Sequence, residues 1–163
     1  MKVIKFGGSS LATGSQVAKV VHIIQDDPQR RVVVTSAPGK RYSGDTKVTD
    51  LLIKYAEQTI AHQNTEEIVK TIFARYQEIG HYFDIADSSL ETIHQIIVDL
   101  PKQDYPNDEY LLAAFKAHGE RLNARLMALV LNSQGIKARF VDPSEAGIVV
   151  TGEPNNADVN QET

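Results

Sequence analysis

The 163 residues, 42% hydrophobic and 23% charged, fit one folded domain with a real core and lie far from the charge-rich, apolar-poor composition of disordered chains. A formal net charge of −4 argues against nucleic acid or an anionic membrane as the main partner, since either favours a clustered basic face. The absence of cysteine removes disulfides, thiolate metal sites and cysteine nucleophiles; with no apolar run as long as a signal core or a spanning helix, the cytoplasm is the expected location.

Val3-Ile4-Lys5-Phe6 is a short apolar run ended by Gly7-Gly8, which predicts a buried strand entering a tight loop. Beyond Ser15, a good N-cap, Val17, Val20, Val21 and Ile24 keep helical spacing until Asp26-Asp27-Pro28 stops the pattern. Val32-Val33-Val34-Thr35, closed by Ser36-Ala37-Pro38-Gly39, reads as a second strand with both faces covered, completing a βαβ unit. A polar segment from Gly39 to Lys47 precedes a helix beginning near Thr49, marked by Val48, Leu51, Leu52, Tyr55, Ala56 and Ile60. Three more helical patterns follow. One starts after Thr65 with Ile68, Ile72, Tyr76 and Ile79; one starts after Ser88, which has capping-box spacing to Glu91. The third starts after Pro106-Asn107, carries Leu111, Phe115, Leu122, Leu126 and Leu129, and runs to Gly135. Ile136 to Val141 alternates as a strand, Asp142-Pro143 turns, and Ile148-Val149-Val150 is another short β-branched run. The chain then turns polar from Gly152 to Thr163. No repeat or linker divides it, and the order of elements predicts an α/β fold with a mainly parallel sheet and helices on both faces.

Three segments could carry chemistry. Lys5-Phe6-Gly7-Gly8-Ser9-Ser10 puts a lysine at the end of a strand, followed by paired glycines and hydroxyls. Glycines let backbone N–H groups close on an anion as a nest, and the lysine adds a point charge. The same pattern also suits a tight turn with an exposed lysine. It is not a Walker loop, because G-x-x-x-x-G-K-[ST] is absent. Ser36-Ala37-Pro38-Gly39-Lys40 again follows a strand, with Lys47-Val48-Thr49-Asp50 beyond it; Thr49 suits either a carboxylate contact at a helix N-terminus or the N-cap itself. Gly119-Glu120-Arg121-Leu122 lies inside the long apolar helix. A glycine there costs about 1 kcal/mol against alanine, so close packing or ligand access must offset it, while Glu120 is either an ammonium partner or a solvated carboxylate. The histidines at 22, 62, 81, 94 and 118 lack metal-ligand spacing, and no metal site is expected. No nucleophile-elbow sequence is present for a serine triad.

Taken together, KFGGSSLA from Lys5, SAPGK from Ser36 with TDLL from Thr49, and GERL from Gly119 resemble the aspartate kinases of the amino-acid kinase superfamily. The resemblance runs along essentially the whole chain and implies the superfamily's carbamate-kinase-like fold, incomplete at its C-terminal side. It implies ATP, with Mg2+ carried mainly by the nucleotide, and L-aspartate as ligands. Lys5, Gly7, Gly8 and Ser9 would face the ATP phosphates, with Lys5 stabilising the transferring group as the catalytic residue and Ser36 lining the same cleft. Thr49 and Glu120 match positions that hold aspartate, Thr49 toward a carboxylate and Glu120 toward the α-ammonium. The implied reaction makes 4-phospho-L-aspartate and ADP, the first step toward lysine, threonine and methionine. Family members continue with a TLGRGGSD-type segment, a nucleotide-base site and regulatory ACT domains, none of which is found here. The 163 residues are therefore expected to be the N-terminal portion of the catalytic domain, with little activity unless joined to the missing C-terminal part, and an unfinished sheet edge would permit homo-oligomers. Two other readings compete. One is a non-catalytic binding or assembly module on the same fold. The other is a kinase for glutamate or acetylglutamate, which keeps the first loop but does not predict the GERL helix.

Overall fold

The computed structural model describes residues 1–154 and 156–160. Strand β1 (Lys2–Phe6) and strand β2 (Arg30–Thr35) pair in parallel, joined by helix α1 (Gly14–Gln25). The expected βαβ unit is present. Its helix starts earlier than the serine at position 15 implies, because Thr13 accepts the Gln16 N–H at 3.3 Å and is the cap. Ser15 instead lies in the first turn, with its hydroxyl 3.1 Å from that of Thr13.

One face of the strand pair, with Ile4, Phe6 and Val33, packs on the helical core. The other face stays open, with Val3 65% exposed and Val32 and Val34 also at the surface. The readings of β1 as a buried strand and of β2 as covered on both faces are thus corrected among the described residues: in β1 only Ile4 and Phe6 are partly covered, and alternation within Val32-Val33-Val34 buries the middle valine only partly and leaves its neighbours bare.

The remaining core is helical. Helices α2 (Val48–Ile60), α3 (Glu66–Tyr82), α4 (Asp87–Asp99) and α5 (Asp108–Ser133) surround Tyr55, Tyr76 and Phe115, all essentially inaccessible to solvent. Tyr55 meets Phe115 edge-on at 4.8 Å between ring centres and donates its hydroxyl to the Ile97 carbonyl at 3.0 Å, so a large polar-tipped ring is buried without an orphaned donor. Asn107 caps α5 by accepting the Glu109 and Tyr110 N–H groups at 3.0 and 3.2 Å. At the other end Gly135 takes a φ of 76°, and the Ile136 N–H reaches back to the Leu131 carbonyl at 2.9 Å, closing the helix as a Schellman motif does.

Three further expectations are corrected. Ser88 does not cap α4, which begins at Asp87 after Ala86 without a side-chain cap. Asp87 instead accepts from Gln77 and lies 2.7 Å from His81, tying the helix to α3. Ile136 to Val141 forms no strand: no neighbouring strand is present among the described residues, and its backbone at Ala138 bonds the side chain of Asn132 instead. The run at Ile148 shortens to strand β3 (Val150–Thr151), antiparallel to strand β4 (Asp158–Val159). The result is an α/β chain dominated by helix, with two small sheets. No helix among the described residues is long and apolar enough to cross a membrane.

Candidate active site

Two loops leave the same end of the β1–β2 pair. The first turns at Gly7 into one 3-10 turn, Gly8–Leu11, whose Leu11 is fully buried and anchors it. The second runs from Ser36 to Lys47. Pairing continues past the strands, as the Ser36 N–H donates to the Phe6 carbonyl at 3.1 Å and the Gly39 N–H to the Gly8 carbonyl at 2.8 Å. Gly8 and Gly39 lie back to back: a Cβ on Gly8 would stand 2.9 Å from the Ala37 oxygen, and one on Gly39 would stand 2.7 Å from the Gly8 carbonyl. Both glycines are thus explained by the docking of one loop on the other. Gly7 has nothing within 4 Å of a Cβ position and borders open space.

Helix α5 supports the second loop from beneath. At Gly119 a Cβ would be 2.8 Å from the Cβ of Ala37, so the glycine in mid-helix is offset by close packing. One turn later Asn123, fully buried, donates to the Ser36 carbonyl at 2.7 Å. Tyr76 of α3 donates to the Gly119 carbonyl at 3.1 Å. The second loop also meets α2, where the Val48 N–H donates to the Pro38 carbonyl at 3.1 Å. Lys47 occupies the N-cap position of α2 without a side-chain cap bond, which leaves the Thr49 hydroxyl one step inside the helix and not committed to capping.

These elements enclose a cleft of about 460 Å³ lined by Gly8, Ser9, Ser36, Thr49 and Glu120. Five of the seven residues singled out from sequence therefore share one wall-to-wall space. Lys5 and Gly7 are not among its lining residues; Lys5 pairs with Val34 in the strand register and is exposed. Lys40 and Lys47 also line it, so one carboxylate, Glu120, shares the cleft with two lysines. That charge pattern suits a small ligand bearing one ammonium and more than one anionic group. Among the described residues no group of three or more His, Asp or Glu side chains is placed to hold a metal.

The second loop is held by charge. Arg41 donates to Asp45 from its backbone at 3.0 Å and from its guanidinium at 2.9 and 3.0 Å, which keeps the Asp45 carboxyl well below the usual carboxylate range despite its burial. Arg75, from α3, reaches the same carboxylate at 3.1 Å. Sequence reasoning missed Arg75, Asp45, Tyr76 and Asn123 as parts of the site's framework. A signal existed for two of them: Arg75 interrupts the apolar stripe of Ile72, Tyr76 and Ile79, and Asn123 interrupts that of Leu122 and Leu126.

A strand pair whose post-strand loops frame a polar cleft has the arrangement in which α/β folds place their ligands, at the carboxyl ends of the strands. Residues 1–163 match the amino acid kinase family, and the chain belongs to it. The chain is 47% identical, over its whole length, to aspartokinase 3 of Bacillus subtilis and spans 36% of that relative's length. The solved aspartate kinase of Clostridium acetobutylicum superposes with a TM-score of 0.67 at 34% identity, covering 80% of this chain and 29% of that one. Escherichia coli aspartokinase III, solved with lysine and aspartate, superposes at 0.59 and 22% identity over 97% of this chain and 34% of that one. The same enzyme with aspartate and ADP gives 0.50 at 24% identity, over 86% and 31%.

Proposed function

We propose that these residues form the N-terminal portion of an aspartate kinase catalytic domain and supply the aspartate-holding side of its cleft. The observation that carries this reading is the convergence of Gly8, Ser9, Ser36, Thr49 and Glu120 on one cleft, from three separated stretches of sequence, in a chain 47% identical to an aspartokinase. Glu120 receives the α-ammonium of L-aspartate, and Thr49, at the free N–H end of α2, receives a carboxylate. Gly7, Gly8, Ser9 and Ser36 form the wall toward the ATP phosphates, and Lys5, just ahead of them in sequence, stabilises the transferring phosphoryl group.

In the reaction a β-carboxylate oxygen attacks the γ-phosphorus. The new O–P bond forms as the bond to the β-phosphate oxygen breaks, and ADP leaves with that electron pair. The nucleophile is already ionised at neutral pH, so no strong base is needed; the protein positions two anions and neutralises their repulsion. One carboxylate against two lysines does not fit a divalent cation held directly by this cleft, so Mg2+ on this reading arrives on the nucleotide and the steps assigned to this chain do not run through it. The open face of Val3, Val32 and Val34 supports a complete domain in which a larger, mainly parallel sheet has helices on both sides.

Calorimetric titration of the 163-residue chain with L-aspartate and L-glutamate tests the assignment. Expected is binding selective for aspartate and abolished by Glu120→Ala; no binding of either amino acid, or binding indifferent to Glu120→Ala, overturns it.

A further inference from the structure

The loop from Gly39 to Lys47 carries two of the cleft's charges, Lys40 and Lys47, and leads directly into Thr49. It has no regular secondary structure and few apolar anchors: residues 41–44 are exposed, Tyr42 among them. Its placement must come from elsewhere. Arg75, only 3% exposed, rises from α3 beneath it. One guanidinium nitrogen donates to the Gly39 carbonyl at 2.6 Å, and the other donates to the Thr46 carbonyl at 2.8 Å while lying 3.1 Å from Asp45. A single planar group therefore grips both ends of the loop.

Arg41, bonded to Asp45 within the loop, also donates to Glu78 of α3 at 2.8 Å, so the same helix holds the loop from its outer side. Burying a guanidinium is unfavourable unless its partners are well placed, and Arg75 still leaves its Nε without a partner; a buried ion pair is weak evidence for net stability, and what the geometry shows is one group bonded to both ends of the loop. The fork geometry also matters, because a lysine ammonium is a point donor that does not span two carbonyls in fixed directions.

We propose that Arg75 is a positioning residue for the cleft, clamping the Gly39–Lys47 loop at both ends and so setting Lys40, Lys47 and Thr49 against the amino-acid ligand. The loop statement stands on geometry alone; the ligand statement rests on the aspartate reading above. The test compares the 163-residue chain with Arg75→Lys and Arg75→Met by limited trypsin digestion under native conditions, with each cut located by mass spectrometry, and by aspartate titration. Clamping predicts cleavage after Lys40, Arg41 and Lys47 accelerated about tenfold relative to cuts after Lys19 and Lys54, as the loop opens locally without global unfolding. It also predicts aspartate affinity weakened about tenfold, equivalent to about 1.4 kcal/mol. Arg75→Lys should show both effects with little change in melting temperature. Unchanged protection of the loop in a folded variant overturns the clamp, and so does cleavage rising equally at every site, which would assign Arg75 to the core. If the unaltered chain binds no aspartate, the substrate reading fails while the digestion pattern still decides the clamp.

Discussion

Gly119→Ala sets two known effects against each other at one tightly packed position. Alanine in mid-helix is favoured over glycine by about 1 kcal/mol. The added methyl, however, would stand 2.8 Å from the Ala37 Cβ and 3.3 Å from Leu52 Cδ1, and forcing a methyl into a packed core typically costs about 1–3 kcal/mol. Ala37 cannot retreat cheaply, because its loop is tied to the same helix by the Asn123 bond to Ser36. Packing therefore wins, and the variant is expected to lose about 1 kcal/mol, seen as a melting temperature lower by about 2–4 °C for a domain of this size. Denaturant titration supplies the free energy. In an Ala37→Gly background, where the opposing methyl is gone, the penalty should shrink by at least about 0.5 kcal/mol, the coupling expected of residues in contact. Stabilisation by Gly119→Ala alone, or strict additivity in the double variant, would refute the packing account of this glycine.

Tyr76→Phe removes a buried hydroxyl that donates to the Gly119 carbonyl and should destabilise by about 1 kcal/mol; an unchanged denaturation midpoint would show the bond is not made in solution. The Ser144 hydroxyl, then Arg121, hold the Asp142 carboxyl down at about 2 against an ordinary 3.8. Its contribution is therefore complete above about pH 4 and lost as pH falls through 2, and Asp142→Asn should flatten the stability curve only in that window. Identical curves for the two proteins would remove Asp142 from the acid transition.

The elements that could be read from sequence are those whose signals are local. β1, β2 and the five α-helices follow from period and from punctuation by glycine, proline and asparagine, and Asn107 caps α5 where its side chain suggests. The misreadings share one cause, dependence on a distant partner. Alternation from Ile136 to Val141 describes a ribbon that becomes a strand only beside another strand. The valines of β2 describe two apolar sides that become buried only under a second layer. Cap choice failed for a smaller reason of the same kind: Thr13 and Ser15 are both competent, and the docking of the preceding turn through Leu11 decides which residue is left in extended backbone.

The cleft divides along the same line. Residues at strand ends, Gly8, Ser9 and Ser36, could be picked out because a parallel sheet delivers its loops to one edge, and Glu120 because it follows an expensive glycine. What spacing could not supply is why the glycines are there. Paired glycines after a strand suit an anion nest and loop-on-loop docking equally well, and only the 2.7 Å that would separate a Cβ on Gly39 from the Gly8 carbonyl assigns Gly8 to docking, while Gly7 borders open space. The assignment changes what the motif does: by admitting Gly39 so closely, Gly8 brings the second loop, with its lysines, to the cleft that Glu120 also lines. An alanine at position 8 would then separate the two loops even if no ligand ever touched that residue, so an anion-binding role for Gly8 and a purely steric one call for the same amino acid.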